Sequence, residues 1–306
     1  METKRILVTG GLGTVGLPLV SLIRNRGHEV WILDRSHNND RQYLRCDIGE
    51  FRQVESVFDR QNFDIVYHLA AEFGRNNGED FYETLWKSNA IGVKNILRLQ
   101  ERKKFKMVFT SSSEIYGDYG GTMEENVPLK HPIRQLNDYA MTKWVNEMQI
   151  MNSMERFGTE TVILRLFNTY GPGEYYSGYR SAICLFVYRA LHEMPYEVYL
   201  NHHRSSCYID DTVRTMANVA NNFTPGETYN IAGDEYHDIK EISDIVLSQL
   251  GKDDSLVTYV EKEPHNTLDK RADTTKAKRY LEHKETIKLV DGIGRTIEWQ
   301  RAVYNV

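Results

Sequence analysis

Apolar residues in the first half of the chain fall into short runs separated by longer stretches with helical spacing. Arg5-Ile6-Leu7-Val8-Thr9 is apolar without alternation and stops at glycines, as a strand buried on both faces does. Helical spacing follows from about Thr14 to Arg26, Gly27 sits where a C-cap is expected, and Glu29 to Leu33 reads as the next strand. Asp64 to Ala70 and Lys106 to Thr110 repeat the strand pattern around a helical stretch from about Asp80 to Lys104. Tyr139 to Phe157 predicts a long helix and Glu160 to Phe167 a further strand. Strands alternating with helices predict an α/β fold, a doubly wound parallel sheet covered on both faces, over residues 1–172. Beyond Pro172 the pattern loosens, so residues 173–306 are expected to form mainly a smaller lobe, with some segments returning to the first domain.

Composition narrows the class. At 306 residues and 41% hydrophobic content the chain can bury a large core. A net charge of -5 with both signs interspersed gives no footprint for nucleic acid or a membrane surface. No apolar stretch is long enough to span a bilayer, and Met1 to Arg5 lead directly into a strand without a signal-peptide core. Cys46, Cys184 and Cys207 are odd in number and lack metal-ligand spacing. The expectation is a cytoplasmic protein with free thiols and no metal.

The first chemical signal is Thr9-Gly10-Gly11-Leu12-Gly13-Thr14-Val15-Gly16, between a strand and a helix. Gly10 suits the tight turn, Gly13 lets backbone amides approach a pyrophosphate, and Gly16 lets the helix pack close to the sheet. Asp34 ends the next strand, where a carboxylate accepts from both ribose hydroxyls and repels a 2′-phosphate, favouring NAD over NADP. Arg35 beside it works against that preference, because a neighbouring arginine can bind the 2′-phosphate.

The spacing of these glycines resembles the extended short-chain dehydrogenase/reductase family, and further motifs extend the likeness along most of the chain. Asp47-Ile48 resembles its adenine-contacting pair, and Leu69-Ala70-Ala71 its cofactor-side motif after the fourth strand. Asn89 matches an asparagine in the next helix. Thr110 to Gly117, with Ser112-Ser113-Glu114 at its centre, resembles the active-site segment. Tyr139-x-x-x-Lys143 is the family's Tyr/Lys pair, and Arg165 to Gly173, including Phe167 and Asn168, resembles the turn that meets nicotinamide and substrate phosphate. The resemblance implies a Rossmann-type NAD-binding domain and a nucleotide-diphosphate sugar as substrate.

The chemistry of these residues is consistent with that. Tyr139 and Lys143 lie one helical turn apart. A free tyrosine, with a pKa of about 10, is a poor base, but a nearby ammonium stabilises its phenolate. Tyr139 can then take the proton of the sugar C4 hydroxyl as C4 is oxidised, with Lys143 holding the nicotinamide ribose and Ser112 or Ser113 orienting the reacting oxygen. Glu114 favours subsequent chemistry at C5, whose proton the C4 ketone acidifies; dehydratases and decarboxylases of the family resemble Ser112-Ser113-Glu114 more closely than simple 4-epimerases do. An epimerase or dehydratase outcome is therefore expected.

Three alternatives stand beside it: a C4 dehydrogenase releasing a ketosugar, a uronate decarboxylase, and a non-catalytic NAD sensor. Decarboxylation requires a cation near the C6 carboxylate, which the sequence alone does not place. Retention of Tyr139 and Lys143 argues against the sensor. Arg204 and Arg271 are similar to the family's diphosphate contacts, Asn168 adds a neutral donor, and Glu72 and Arg75 belong to a tract expected to line the sugar pocket. The tract Asn201-His202-His203 reads as a solvated or phosphate-facing loop. The resemblance also implies a homodimer formed by the stretches around Asp80–Lys104 and Tyr139–Phe157. Met141, Val145, Met148 and Met151 either line that seam or pack on the sheet.

Overall fold

The computed structural model describes residues 2–306. Among them, seven parallel strands form one sheet: β1 (Arg5–Thr9), β2 (Glu29–Asp34), β3 (Tyr43–Arg45), β4 (Ile65–His68), β5 (Lys106–Ser112), β6 (Thr161–Leu166) and β7 (Thr228–Ile231). Their spatial order is β7-β6-β5-β4-β1-β2-β3. Helices α1 (Gly16–Asn25), α2 (Phe51–Arg60), α3 (Arg75–Asp80), α4 (Gly92–Lys103) and α5 (Asp138–Phe157) make up much of the cover. β1 lies between β2 and β4, so the winding reverses there and leaves a crevice at the strands' carboxyl ends, where such sheets bind ligands. Every residue of β4 is buried, as are Ile6, Leu7 and Val8 of β1, which explains apolar runs without alternation.

α5 is bounded by local chemistry. Asn137 Oδ1 accepts the Ala140 N–H at 2.8 Å as its N-cap, and Gly158, at φ +62°, ends it. The helical stretch expected from Asp80 to Lys104 is not one helix. After α3 ends at Asp80 it runs as a five-residue α-helical segment Tyr82–Trp86, a π-helical segment Lys87–Ile91, and α4. The wider π turn carries Asn89 inward, where its side chain bonds both backbone groups of Glu72.

After Pro172 the chain forms a lobe of helices and short strands, and returns to the large sheet as β7, paired with β6 from Ile163 to Leu166. Ile6 and Val8 of β1 share one apolar cluster with Ile183, Phe186, Val213 and Ile293, so the lobe and the sheet have a common core. His203–Arg204 is the centre of a three-stranded sheet, antiparallel to His237–Asp238 and parallel to Asp269–Lys270. The loop expected at His202-His203 is thus partly strand. His202 is buried, and His203 Nδ1 lies 2.9 Å from Asp269.

Candidate active site

The crevice between β1 and β4 opens into a cavity of about 420 Å³. Its walls include Gly10, Gly13, Thr14, Val15 and Gly16 after β1, Asp34 and Arg35 after β2, Asp47 and Ile48, and Leu69, Ala70, Ala71 and Glu72 after β4. Gly10 adopts φ +67°, and a Cβ there would stand 2.8 Å from the Ala70 Cα, so no other residue fits that turn. A Cβ on Gly16 would collide with the Gly10 carbonyl. Asp34 is fixed by the N–H groups of Leu12 (3.2 Å) and Ser36 (3.1 Å). Arg35 turns to Glu72, 3.0 Å away, and so is engaged by a carboxylate across the cavity. Glycine cradle, acid and cavity together fit a dinucleotide: Gly10, Gly13 and Gly16 would admit its pyrophosphate, Asp34 would accept from its ribose, and Lys143 would stand at its nicotinamide end.

Ser112, Tyr139, Lys143 and Asn168 line the same cavity. Lys143 Nζ donates to the Thr110 carbonyl at 2.8 Å and lies 5.8 Å from the centre of the Tyr139 ring. Burial lowers its pKa to about 8. Burial also raises the Tyr139 phenol, the Ser112 hydroxyl pulls it back, and the Glu114 charge adds to the rise. Asn168, at φ +33°, leaves its buried Oδ1 without a partner. Asn89 and Phe167 stand outside the cavity wall. Asn89 pins the Glu72 backbone and donates to Thr142 at 3.0 Å, and Phe167 is fully buried against the Tyr116 ring. Ser113 is likewise buried, at the start of the turn Ser113–Tyr116, which Ser112 Oγ caps by accepting the Glu114 N–H.

A buried ion pair joins these pieces. Arg165 on β6 makes two bonds to Glu147 of α5, Nε to Oε1 at 3.0 Å and Nη2 to Oε2 at 2.7 Å. Ser111 of β5 donates to the same carboxylate, and Arg165 Nη1 reaches the Tyr116 hydroxyl at 2.9 Å. The strand carrying Ser112 and the helix carrying Tyr139 are thereby locked in register.

Beyond Tyr139 lies a cluster of charges around Glu114. Lys270 Nζ bonds Glu114 Oε1, and Arg75 Nε stands 3.9 Å from the same oxygen. Arg75 Nη2 bonds Glu263 at 2.7 Å. Arg204 is nearly fully buried, and its Nη1 donates to the carbonyls of His203 (2.8 Å) and Leu268 (2.7 Å). Burial alone would raise the Glu114 carboxyl, but the charges of Lys270 and Arg75 hold it at about 2. Burial lowers Lys270 to about 8 and Arg204 to about 10. Arg75, Arg204 and Lys270 face two carboxylates, Glu114 and Glu263, leaving one positive charge unbalanced.

Lys270 is the residue that motif comparison passed over. The resemblance pointed to Arg271, but that side chain is exposed and lies over the Tyr236 ring, 5.8 Å from its centre. Lys270 pairs in register with Arg204, so their side chains share a face, and the next residue points away. Strand parity, once Arg204 is placed, is the signal that finds it.

Comparison with known proteins decides the family. The model for the NAD dependent epimerase/dehydratase family matches residues 6–232. The chain belongs to that family. Its cofactor is accordingly NAD. UDP-N-acetyl-alpha-D-glucosaminuronate decarboxylase of Bacillus cytotoxicus is 28% identical over 99% of this chain and 99% of its own length. dTDP-glucose 4,6-dehydratase of Neisseria meningitidis serogroup B is 25% identical over 97% of this chain and 93% of its own. Among solved structures, the UDP-glucose 4-epimerase of Thermus thermophilus in complex with NAD superposes with a TM-score of 0.87, at 25% identity, covering 97% of this chain and 99% of that one. Members of the family similar to this chain thus include decarboxylases, dehydratases and epimerases of nucleotide sugars.

Proposed function

We propose that this family member acts on a nucleotide-diphosphate hexuronate, oxidising C4 and then releasing C6 as carbon dioxide. The observation that carries this reading is the cluster of Lys270, Arg75 and Arg204 around Glu114, beside the proposed base Tyr139, with one positive charge unbalanced. Holding a hexuronate calls for a cation at its C6 carboxylate, a place that Lys270 and Arg75 suit, while the C4 ketone drives the cleavage itself. The decarboxylase of Bacillus cytotoxicus supports the same substrate class.

The residues divide the work as follows. Tyr139, with Lys143 to stabilise its phenolate, takes the C4 hydroxyl proton, and Ser112 orients that oxygen. NAD, which Gly10, Gly13, Asp34 and Lys143 would hold, would supply the hydride acceptor for C4 and, once reduced, the hydride that restores it. With C4 a ketone, the C6 carboxylate is β to it, so the C5–C6 bond breaks with its electrons delocalised onto the C4 oxygen. Ser112 and protonated Tyr139 face that oxygen. C5 then takes a proton, for which Lys270, still ammonium at neutral pH, is the nearest donor we propose.

Glu114 fits this sequence better than the role of C5 base expected for it. A carboxylate held at about 2 is a weak base, far from the matched pKa that proton abstraction favours. Kept ionised, it places a like charge beside the C6 carboxylate, and departure of neutral carbon dioxide removes that contact. Asn168 is the proposed diphosphate contact; Arg204, expected there too, is assigned instead to the sugar-side cluster, because its charge acts on Glu114 and its Nη1 is held by the His203 and Leu268 carbonyls.

Two further proposals concern the whole protein. Met141, Met148 and Met151 are exposed on one side of α5, near exposed Phe81, Tyr82 and Ile91, which supports a homodimer over packing on the sheet. The three cysteines are buried and unpaired, in keeping with a reducing cytoplasm.

A panel of UDP- and dTDP-linked glucose, glucuronate and their N-acetylated counterparts tests the reading, with products weighed by mass spectrometry. Loss of carbon dioxide from a uronate is expected. Loss of water from a neutral hexose, with uronates untouched, would refute it.

A further inference from the structure

Arg75 lies at the edge of the site with one hydrogen-bond partner among the described residues, and that partner comes from a distant part of the chain. Glu263 Oε1 accepts from Arg75 Nη2 at 2.7 Å, while its other oxygen accepts from Asn266 Nδ2 at 2.6 Å. Glu263 belongs to the connection 261–268 between the strands Val257–Val260 and Asp269–Lys270. This connection is held at its far end. Thr267 Oγ1 donates to the Gly117 carbonyl at 2.5 Å, and the Leu268 carbonyl accepts from Arg204 and from the His203 N–H. Nearer Glu263 it is loosely packed. Lys262 and His265 to Asp269 help line a second cavity of about 460 Å³, bounded by Asp118 to Gly120 and Arg134 to Leu136. His265 sits at φ +54°, a strained conformation for a residue with a side chain, and the buried Asn266 Oδ1 has no partner.

From this geometry we infer that Glu263 is an internal surrogate for the substrate's carboxylate. It occupies Arg75 until the C6 carboxylate of a hexuronate displaces it, and so sets selectivity for anionic over neutral sugars. The inference rests on the hexuronate reading above. The chemistry is like for like: a carboxylate on a guanidinium gives way to another carboxylate, so Arg75 is never left as a partly buried, unpaired charge. A neutral hexose offers no such replacement and leaves Glu263 in place. The adjoining cavity gives the connection room to withdraw.

Binding is measured by titration calorimetry on NAD-loaded protein carrying Tyr139→Phe, which stops turnover. UDP-glucuronate and UDP-glucose are compared with and without Glu263→Gln. Removing the competing charge is expected to tighten UDP-glucuronate by about tenfold, the scale of one charge-assisted hydrogen bond, and to leave UDP-glucose within about twofold. Asn266→Ala, which frees Glu263 from its second partner, is expected to act in the same direction with a smaller effect, and it keeps the test open should Glu263→Gln fold poorly. Equal changes for both sugars, or weaker uronate binding, would overturn the surrogate role while leaving the hexuronate reading intact. No preference for UDP-glucuronate in the parent protein would overturn both.

Discussion

Lys143 illustrates how a single buried residue links the chemistry to pH. Its ammonium is lowered by burial from an ordinary 10.5 to about 8, so between those values the folded chain has given up a proton that the unfolded chain keeps. The cost of burying the charge is therefore present in full below pH 8 and fades as pH rises toward 10.5. Activity moves the other way, because the proposed role of Lys143 in stabilising the Tyr139 phenolate needs the charged form. C4 oxidation, followed as reduced nicotinamide in a single turnover with prebound substrate, is expected to fall as pH passes about 8. Lys143→Arg keeps its charge throughout that range and is expected to remove this alkaline limb. A limb at the same pH in that variant would assign the titration elsewhere. Lys270, lowered to the same value, is proposed to act in substrate capture and in protonation of C5; prebinding removes the first, and the second follows C4 oxidation, so only the initial rise of reduced nicotinamide is read.

At the scale of elements, the site depends on how β5, β6 and α5 are clamped by Arg165 and Glu147. Both side chains are almost wholly buried, at 4% and 2% exposure, so removing one leaves the other charged without solvent. Arg165→Met is expected to lower stability by about 3–5 kcal/mol in urea unfolding, with Glu147→Met added to it recovering part of the loss. A loss under about 1 kcal/mol would show that Glu147 finds water or another cation. This scale also shows what sequence can and cannot display. β1, β2, β4, β5, β6 and the helix around Tyr139 are legible because short apolar runs and helical spacing are local signals. β3 and β7 are not, since Tyr43–Arg45 is only three residues long and one of them is charged, and Thr228–Ile231 is recruited from the second lobe. The π segment around Asn89 goes with a tertiary bond to Glu72, and neither it nor the break at Phe81 is marked in local spacing. The glycine loop, Asp34 and the Tyr139/Lys143 pair were read from spacing. Lys270 and Glu263 escaped it because they reach Glu114 and Arg75 only through the pairing of short strands far along the chain.

For the whole molecule, the exposed apolar face of α5 and the stretch before α4 carries the proposed dimer. Met141→Glu together with Met148→Glu puts two charges on that face without touching the buried side of the helix. Sedimentation velocity is expected to give a dimer for the parent chain and a folded monomer for the double variant. A monomeric parent chain would remove the assignment. The central claim is that this fold directs a C4 oxidation toward loss of C6, because its proposed sugar site holds cations where a carboxylate would lie. Its most direct test is incubation of the NAD-loaded protein with UDP-glucuronate carrying carbon-13 at C6, followed by NMR. The account predicts that the label leaves the sugar and appears as bicarbonate, and that Lys270→Met suppresses this. A labelled carboxylate retained in a C4-inverted or unchanged sugar would contradict it.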